Sequence, residues 1–358
     1  MSVPRIIRFL FSVSLLIGFV WSLYACSSSE SWRRDFFEGA DSTMQWPPPP
    51  QNPRILFAGS IREPRMSEER DSWARRFLRG VFGPESDSPV LLRPYGIFAD
   101  GDRVYVTDPG SAVLHIFDRT RNRYIALERA GDDDFVSPIG IAADAQGDMY
   151  VSDSVLRKVF VFNREGRYRR SIGSSEIFRR PAGIAIREDK IYIVDTHGHK
   201  VFVFSLADGR MLFTFGGHGA DPGTFNYPTN IFAARDGLIY VMDSMNFRVQ
   251  IFKPDGSFVS AFGKAGDSSG SFSKPKGIAV DSEGHIYVAD SHFDNIQIFD
   301  SRGRLLLIVG NAGNAAGEFA LPSGMYIDSL DRIYVADSLN RRVQILQYVK
   351  GASDTVAK

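Results

Sequence analysis

One motif returns along most of this chain at nearly even intervals. Pro-x-Gly-Ile, or a close variant, begins at Pro94, Pro138, Pro181, Pro228, Pro275 and Pro322, in steps of 44, 43, 47, 47 and 47 residues. The variants are Asn230 in place of glycine and Met325 in place of isoleucine. A second strand signature, Tyr-x-x-Asp, ends at Asp108, Asp153, Asp195, Asp243, Asp290 and Asp337. A third apolar strand ends at Phe117, Phe162, Phe204, Phe252, Phe299 and Leu346. The stretch from Pro275 shows the unit most clearly. Ile278–Asp281, Ile286–Asp290, Ile296–Phe299 and Leu305–Gly310 are rich in β-branched and aromatic residues and are separated by turn residues such as Ser282-Glu283-Gly284 and Asp300-Ser301-Arg302-Gly303. Each repeat is therefore an antiparallel four-stranded meander.

A single sheet of this kind cannot bury both faces, and six packed around an axis can. The sequence thus predicts an all-β, six-bladed β-propeller with four antiparallel strands per blade. The last repeat ends near Tyr348 without a fourth strand, and Ile55-Leu56-Phe57-Ala58-Gly59 looks like the fourth strands of other repeats. An N-terminal strand over Arg54 to Gly59, pairing with Val343 to Leu346, is expected to close the ring and cover its edge.

The segments that carry these features resemble the NHL-repeat family. Gly-x-Phe-x-x-Pro, then Tyr-Val-x-Asp-Ser-x-Asn-x-Arg, then Val-Gln-Ile-Phe is that family's pattern, cleanest in Gly223 to Phe252 and Gly317 to Ile345. The resemblance spans roughly Arg54 to Tyr348 and implies the propeller fold. It implies little about function, because such propellers host enzymes, RNA binders and protein scaffolds alike.

The chain divides into a targeting segment over 1–25, a proline-rich tether over 26–53, the propeller over 54–349 and a tail over 350–358. The first segment has Arg5 and Arg8, an apolar run from Phe9 to Val20, and Leu23-Tyr24-Ala25-Cys26, which resembles a bacterial lipobox. Cys26 is the only cysteine, so no intrachain disulfide forms, and lipidation is expected there. Ser27 follows in place of the inner-membrane-retaining Asp, so outer-membrane sorting is expected. In the tether, Trp46 precedes Pro47-Pro48-Pro49-Pro50, a stiff polyproline spacer. The 60–93 stretch is an insertion relative to the other repeats. It predicts a helix from Ser67 to Gly80, with Ser67 as N-cap, Glu68 and Glu69 in the first turn, and Trp73, Phe77 and Val81 on one face.

Basic and acidic residues balance at 42 each, so charge gives no overall pull toward nucleic acid or membrane, and no nucleic-acid partner is expected. Local charge is another matter. In a four-stranded blade, the loop after strand two and the loop leading into strand one share a face. That face is expected to carry a partner-binding rim of Arg179, Arg180, Arg248, Lys274, Lys276, Arg341 and Arg342, with Arg93 in the same class of loops. The bland reading of the basic residues five positions after the repeated Asp (Lys158, Lys200, Arg248, Arg342) is that they pair with nearby aspartates. Asp132-Asp133-Asp134 has no alternating-oxygen loop and reads as solvated acid rather than a calcium site.

His197, His199 and His218 fall on neighbouring rim loops and are the candidate metal ligands. The amidating-lyase propellers, which this fold resembles, place zinc histidines from several blades around the axis. Here only His199 matches that family's Asp-x-x-x-His-x-Val, in Asp195 to Val201, and Arg157, Phe247, Asp294 and Arg341 hold the equivalent positions. The expected function is a lipid-anchored, non-enzymatic scaffold of the bacterial envelope. It would bind an envelope protein or an anionic ligand through its rim, with no cofactor. The alternative is a metal-dependent envelope lyase or hydrolase using the axial pocket.

Overall fold

The computed structural model describes residues 36–39, 44–62, 91–121 and 123–350. Each repeat forms the expected meander. In the fifth blade the strands are Pro275–Val280, Ile286–Asp290, Asn295–Phe299 and Leu305–Val309, hydrogen-bonded in sequence order. The first to fourth blades begin at Ile97–Asp100, Pro138–Ala143, Pro181–Arg187 and Pro228–Ala233, and the sixth at Pro322–Ile327. Blades pack face to face, and the core is six apolar clusters, each shared by two neighbouring blades. The strand-two tyrosines, such as Tyr240 and Tyr287, are buried in these clusters. Their hydroxyls donate to aspartates in the turn between strands one and two, Asp236 at 2.7 Å and Asp281 at 3.0 Å.

The innermost strands come close together because five of the six carry glycine at the third position of the motif. A Cβ at Gly96 or Gly140 would run into the carbonyl oxygen of Ile139 or Ala182 on the next blade. The result is a narrow axial channel.

The ring closes as the sequence predicts. Ile55–Ile61 pairs antiparallel with Arg342–Tyr348, with Ile345 opposite Gly59 and Tyr348 opposite Ile55. The tether expectation needs correcting. Its described part is not a free spacer: Phe37–Gly39 and Gln45–Trp46 both pair with the closing strand, on its outer edge. Phe36 is buried, with ring centroids 5.3 Å from Phe117 and 5.2 Å from Tyr124. The physical reason is composition, since Phe36, Phe37, Met44 and Trp46 supply apolar surface that packs on the sixth blade and its neighbours. They also cover an edge that would otherwise template association. The expected targeting segment, Cys26, the helix expected over 67–80 and the tail from 351 lie outside the described residues.

Candidate functional site

The repeated aspartate organises the rim. In every blade it is fully buried at the end of strand two. Asp153 accepts the backbone N–H groups of Val136 and Ser137, in the loop entering strand one, and of Val155 and Leu156, in the loop leaving strand two. Asp195 does the same for Arg179, Arg180 and Gly198, and Asp290 for Ser273, Lys274 and His292. A buried carboxylate is tolerated because several donors replace its water. One side chain per blade thus fixes two loops on one face, and the expected rim exists as a geometric unit.

The rim arginines separate into two groups. Arg342 is 97% buried, since only 3% of its surface is exposed. Its Nε donates to Asp337 at 2.7 Å, and its terminal nitrogens donate to the carbonyls of Asn314, Ala315 and Glu318. Arg248 repeats the arrangement with Asp243 at 2.8 Å and the carbonyls of Ala220, Asp221 and Thr224. Gln344 and Gln250, two residues further on, complete each clasp with a hydrogen bond to the same aspartate at 3.0 Å. The assignment of Arg248 and Arg342 to a partner-binding surface is therefore corrected. Their guanidinium donors are consumed within the blade, because the connection carrying Gly-x-Phe folds back beneath them and offers its carbonyls. Lys158 instead reaches Asp133 at 2.6 Å.

The second group surrounds the axis. Arg93, Arg180 and Lys276, from the first, third and fifth blades, line a cavity of about 500 Å³ with Tyr95, Ser338 and Leu339. Among the described residues no carboxylate forms an ion pair with any of the three. Lys276 is half-buried, with its ammonium 6.0 Å from the centroid of the Tyr95 ring. Burial depresses its pKa, and the neighbouring charges of Lys274 and Arg93 add to this. Burial raises the Tyr95 phenol against the pull of Arg180. Arg179, Lys274 and Arg341 are exposed on the same face, outside the cavity lining.

Below this mouth the channel continues as a second cavity of about 280 Å³, lined by the innermost strands. Its walls differ. Phe98, Phe232 and Tyr326 stand four residues after their motif prolines, where the other three blades have Ala142, Ala185 and Ala279. The Phe98 and Tyr326 rings are 4.8 Å apart and those of Phe232 and Tyr326 are 6.0 Å apart. Sequence reasoning named Arg93 only as a loop residue and missed Tyr95 and this aromatic wall. The signal was available in the columns of the aligned repeats.

The three candidate histidines lie beside one another on the rim of the third blade and its connection to the fourth. His199 and His218 rings are 4.5 Å apart, and Tyr227 is 4.7 Å from His199 and 5.7 Å from His197. His199 Nδ1 accepts the Tyr227 N–H at 3.1 Å. Burial and the neighbouring His218 lower the His199 pKa. Among the described residues no three His, Cys, Asp or Glu side chains group as metal ligands. His199 occupies a left-handed turn position, φ 54°, that Arg157, Phe247, Asp294 and Arg341 hold in other blades. The column is a turn feature of the repeat, filled by varied side chains.

Comparison with known proteins agrees with this architecture. A family described as a 6-bladed beta-propeller matches residues 102–212, and the NHL repeat matches residues 272–299 and 319–346. Among solved structures, a protein of unknown function from Bacteroides thetaiotaomicron aligns at 17% identity over 74% of this chain and 71% of its own, with a TM-score of 0.58. An auxiliary nutrient binding protein from Bacteroides ovatus aligns at 14% identity, over 75% and 72%, with a TM-score of 0.57. Virginiamycin B lyase from Staphylococcus aureus aligns at 14% identity, over 72% and 96%, with a TM-score of 0.54. Likeness at these identities concerns the fold alone. With these matches and six four-stranded sheets in the structure, the chain is a six-bladed β-propeller that carries NHL repeats.

Proposed function

We propose that this propeller is a non-enzymatic binding scaffold of the bacterial envelope, held by lipid at Cys26, whose axial mouth receives an anionic group of its ligand or partner. The observation that carries the reading is the set of Arg93, Arg180 and Lys276 around one cavity, without a described carboxylate to neutralise them. Cations so placed repel one another, and an anion relieves that cost while steering encounter. Exposed apolar side chains on the same loops, among them Leu92, Val155, Met245 and Leu339, provide contact area around the mouth. The Bacteroides ovatus propeller of the same fold is an auxiliary nutrient binding protein, which supports binding as a use of this architecture.

Two measurements test the reading. Titration of the purified chain with inorganic phosphate at constant ionic strength should raise its melting temperature. The triple variant Arg93→Gln, Arg180→Gln, Lys276→Gln should lose that shift while keeping its circular dichroism spectrum. An equal shift in the variant removes the mouth as the anion site. For location, Cys26→Ser should abolish acyl labelling and release the protein from outer-membrane fractions. An uncleaved, membrane-bound variant would make the segment a signal anchor instead.

A further inference from the structure

The channel beneath the mouth says more about the ligand. We propose that it holds the body of a small aryl acid, with the acid group between Arg93, Arg180 and Lys276 and the ring in a slot between an aromatic and an alanine wall, beside the Asn230 amide. The inference rests on the mouth being an anion site.

Three observations converge on this class of ligand. The slot is asymmetric: Phe98, Phe232 and Tyr326 crowd one side, while Ala142 and Ala185, on the second and third blades, leave the other side open. A flat, apolar body fits such a gap, where offset and edge-on ring contacts are favourable. The dimensions agree. Lys276 and Tyr95 stand one residue after their prolines and the aromatic wall four after, and three residues of strand span about 10 Å. That is the length of one ring with a short acidic side chain. Engineered cavities of about 150 Å³ accept benzene, so a channel of about 280 Å³ has room for a substituted ring.

The third observation is unmet polarity. Asn230 takes the place that glycine holds in the other five blades and lines the channel. Its Oδ1 accepts the Ile231 N–H at 2.8 Å, which orients the side chain and leaves Nδ2 without a protein acceptor among the described residues. The hydroxyls of Tyr95 and Tyr326 likewise have no protein partner among the described residues. Burial raises both phenols, so each remains a neutral donor at physiological pH. A wholly apolar ligand would leave these groups unmatched; an aryl acid with a ring hydroxyl would engage them.

The test is isothermal titration of the purified full chain with propionate, 3-phenylpropionate, 3-(4-hydroxyphenyl)propionate and 3-phenylpropanol. The ring should tighten binding about tenfold over propionate. The phenylpropanol should bind more weakly than the acid. Asn230→Gly restores the residue used by the other blades. It should weaken the hydroxyphenyl acid about fivefold and leave propionate unchanged. If propionate and phosphate bind but the ring adds nothing, or if Asn230→Gly binds the hydroxyphenyl acid as tightly as the native chain, this inference fails and the mouth reading stands. If phenylpropanol equals the acid, the ligand is not anionic and the inference fails. If no anion binds, both fail together.

Discussion

Arg342 and Arg180 lie on the same face of one propeller, yet they do opposite things. Arg342 is buried and donates to one carboxylate and three carbonyls, whereas Arg180 is exposed beside the axis without a described carboxylate partner. The difference is position relative to the strand-two aspartate. Five residues after it, a side chain on strand three points back under the loops. Beside the motif proline of its blade, Arg180 lines the axial cavity. The fourth and sixth blades add what the earlier ones lack, a long connection whose carbonyls receive the guanidinium and whose Phe225 or Phe319 is buried between blades; the fifth has the connection and Phe272 but Asn295 in place of the arginine. Identical residue types are therefore fasteners at one register and free charge at another.

The largest effect should come from breaking a fastener. Arg342→Met leaves Asp337 buried without its cation and should cost about 3–5 kcal/mol, read from urea unfolding. Arg248→Met should cost less, because 15% of that side chain is exposed. A loss below about 1 kcal/mol for Arg342→Met would make the two groups alike.

The first blade has no such clasp, and a titrating side chain stands in its place. His115 stands in its third strand where Gln250 and Gln344 stand in theirs, seven residues after the repeated aspartate. It is buried, and its Nδ1 shares a hydrogen bond with the Tyr124 hydroxyl at 2.8 Å. Burial lowers its pKa to about 4, although Asp108 opposes the shift. The folded value lies below the unfolded one, so the unfolded chain binds more protons between them. This contribution to stability is full above about pH 6.5 and is lost as pH falls toward about 4, by roughly 3 kcal/mol at most. His115→Gln imports the residue of the later blades and should flatten that part of the pH–stability curve. An unchanged acid slope would place the sensitivity elsewhere.

The smallest effect belongs to the free cations. Arg180→Gln should change stability by no more than about 0.5 kcal/mol. Lys276→Met should be neutral or stabilising, since it removes a half-buried charge that Lys274 and Arg93 oppose. A loss as large as that of Arg342→Met would show these residues to be structural after all.

This contrast also marks what the sequence made legible. The Pro-x-Gly and Tyr-x-x-Asp columns set blade number, strand order and the shared face of two loops, because each repeat obeys the same local rules. The pairing of Arg248 and Arg342 with aspartate followed from their spacing. Their burial did not, because it depends on how a connection refolds under the side chain. The built-in part of the tether was hidden for a similar reason: four prolines after Trp46 suggest a spacer, while Phe36 and Met44 have meaning only against a blade completed at the other end of the chain. The mouth was legible as loop charge. The wall of Phe98, Phe232 and Tyr326 needed the repeats to be compared column by column, since its members come from three distant stretches.

The pairing of Ile55–Ile61 with Arg342–Tyr348 also sets a schedule. The closing strand is the first part of the ring to leave the ribosome, and its partner is the last. Until residues 342–348 pair with it, the folding chain is an open arc with a waiting ribbon at one end, and no earlier blade substitutes for the missing one. Contacts between such remote stretches form late and slowly, and unpaired edges are hazardous while they wait. Phe36 and Trp46 travel with that ribbon, so the segments that cover its outer margin already lie next to it in the chain when the arc shuts.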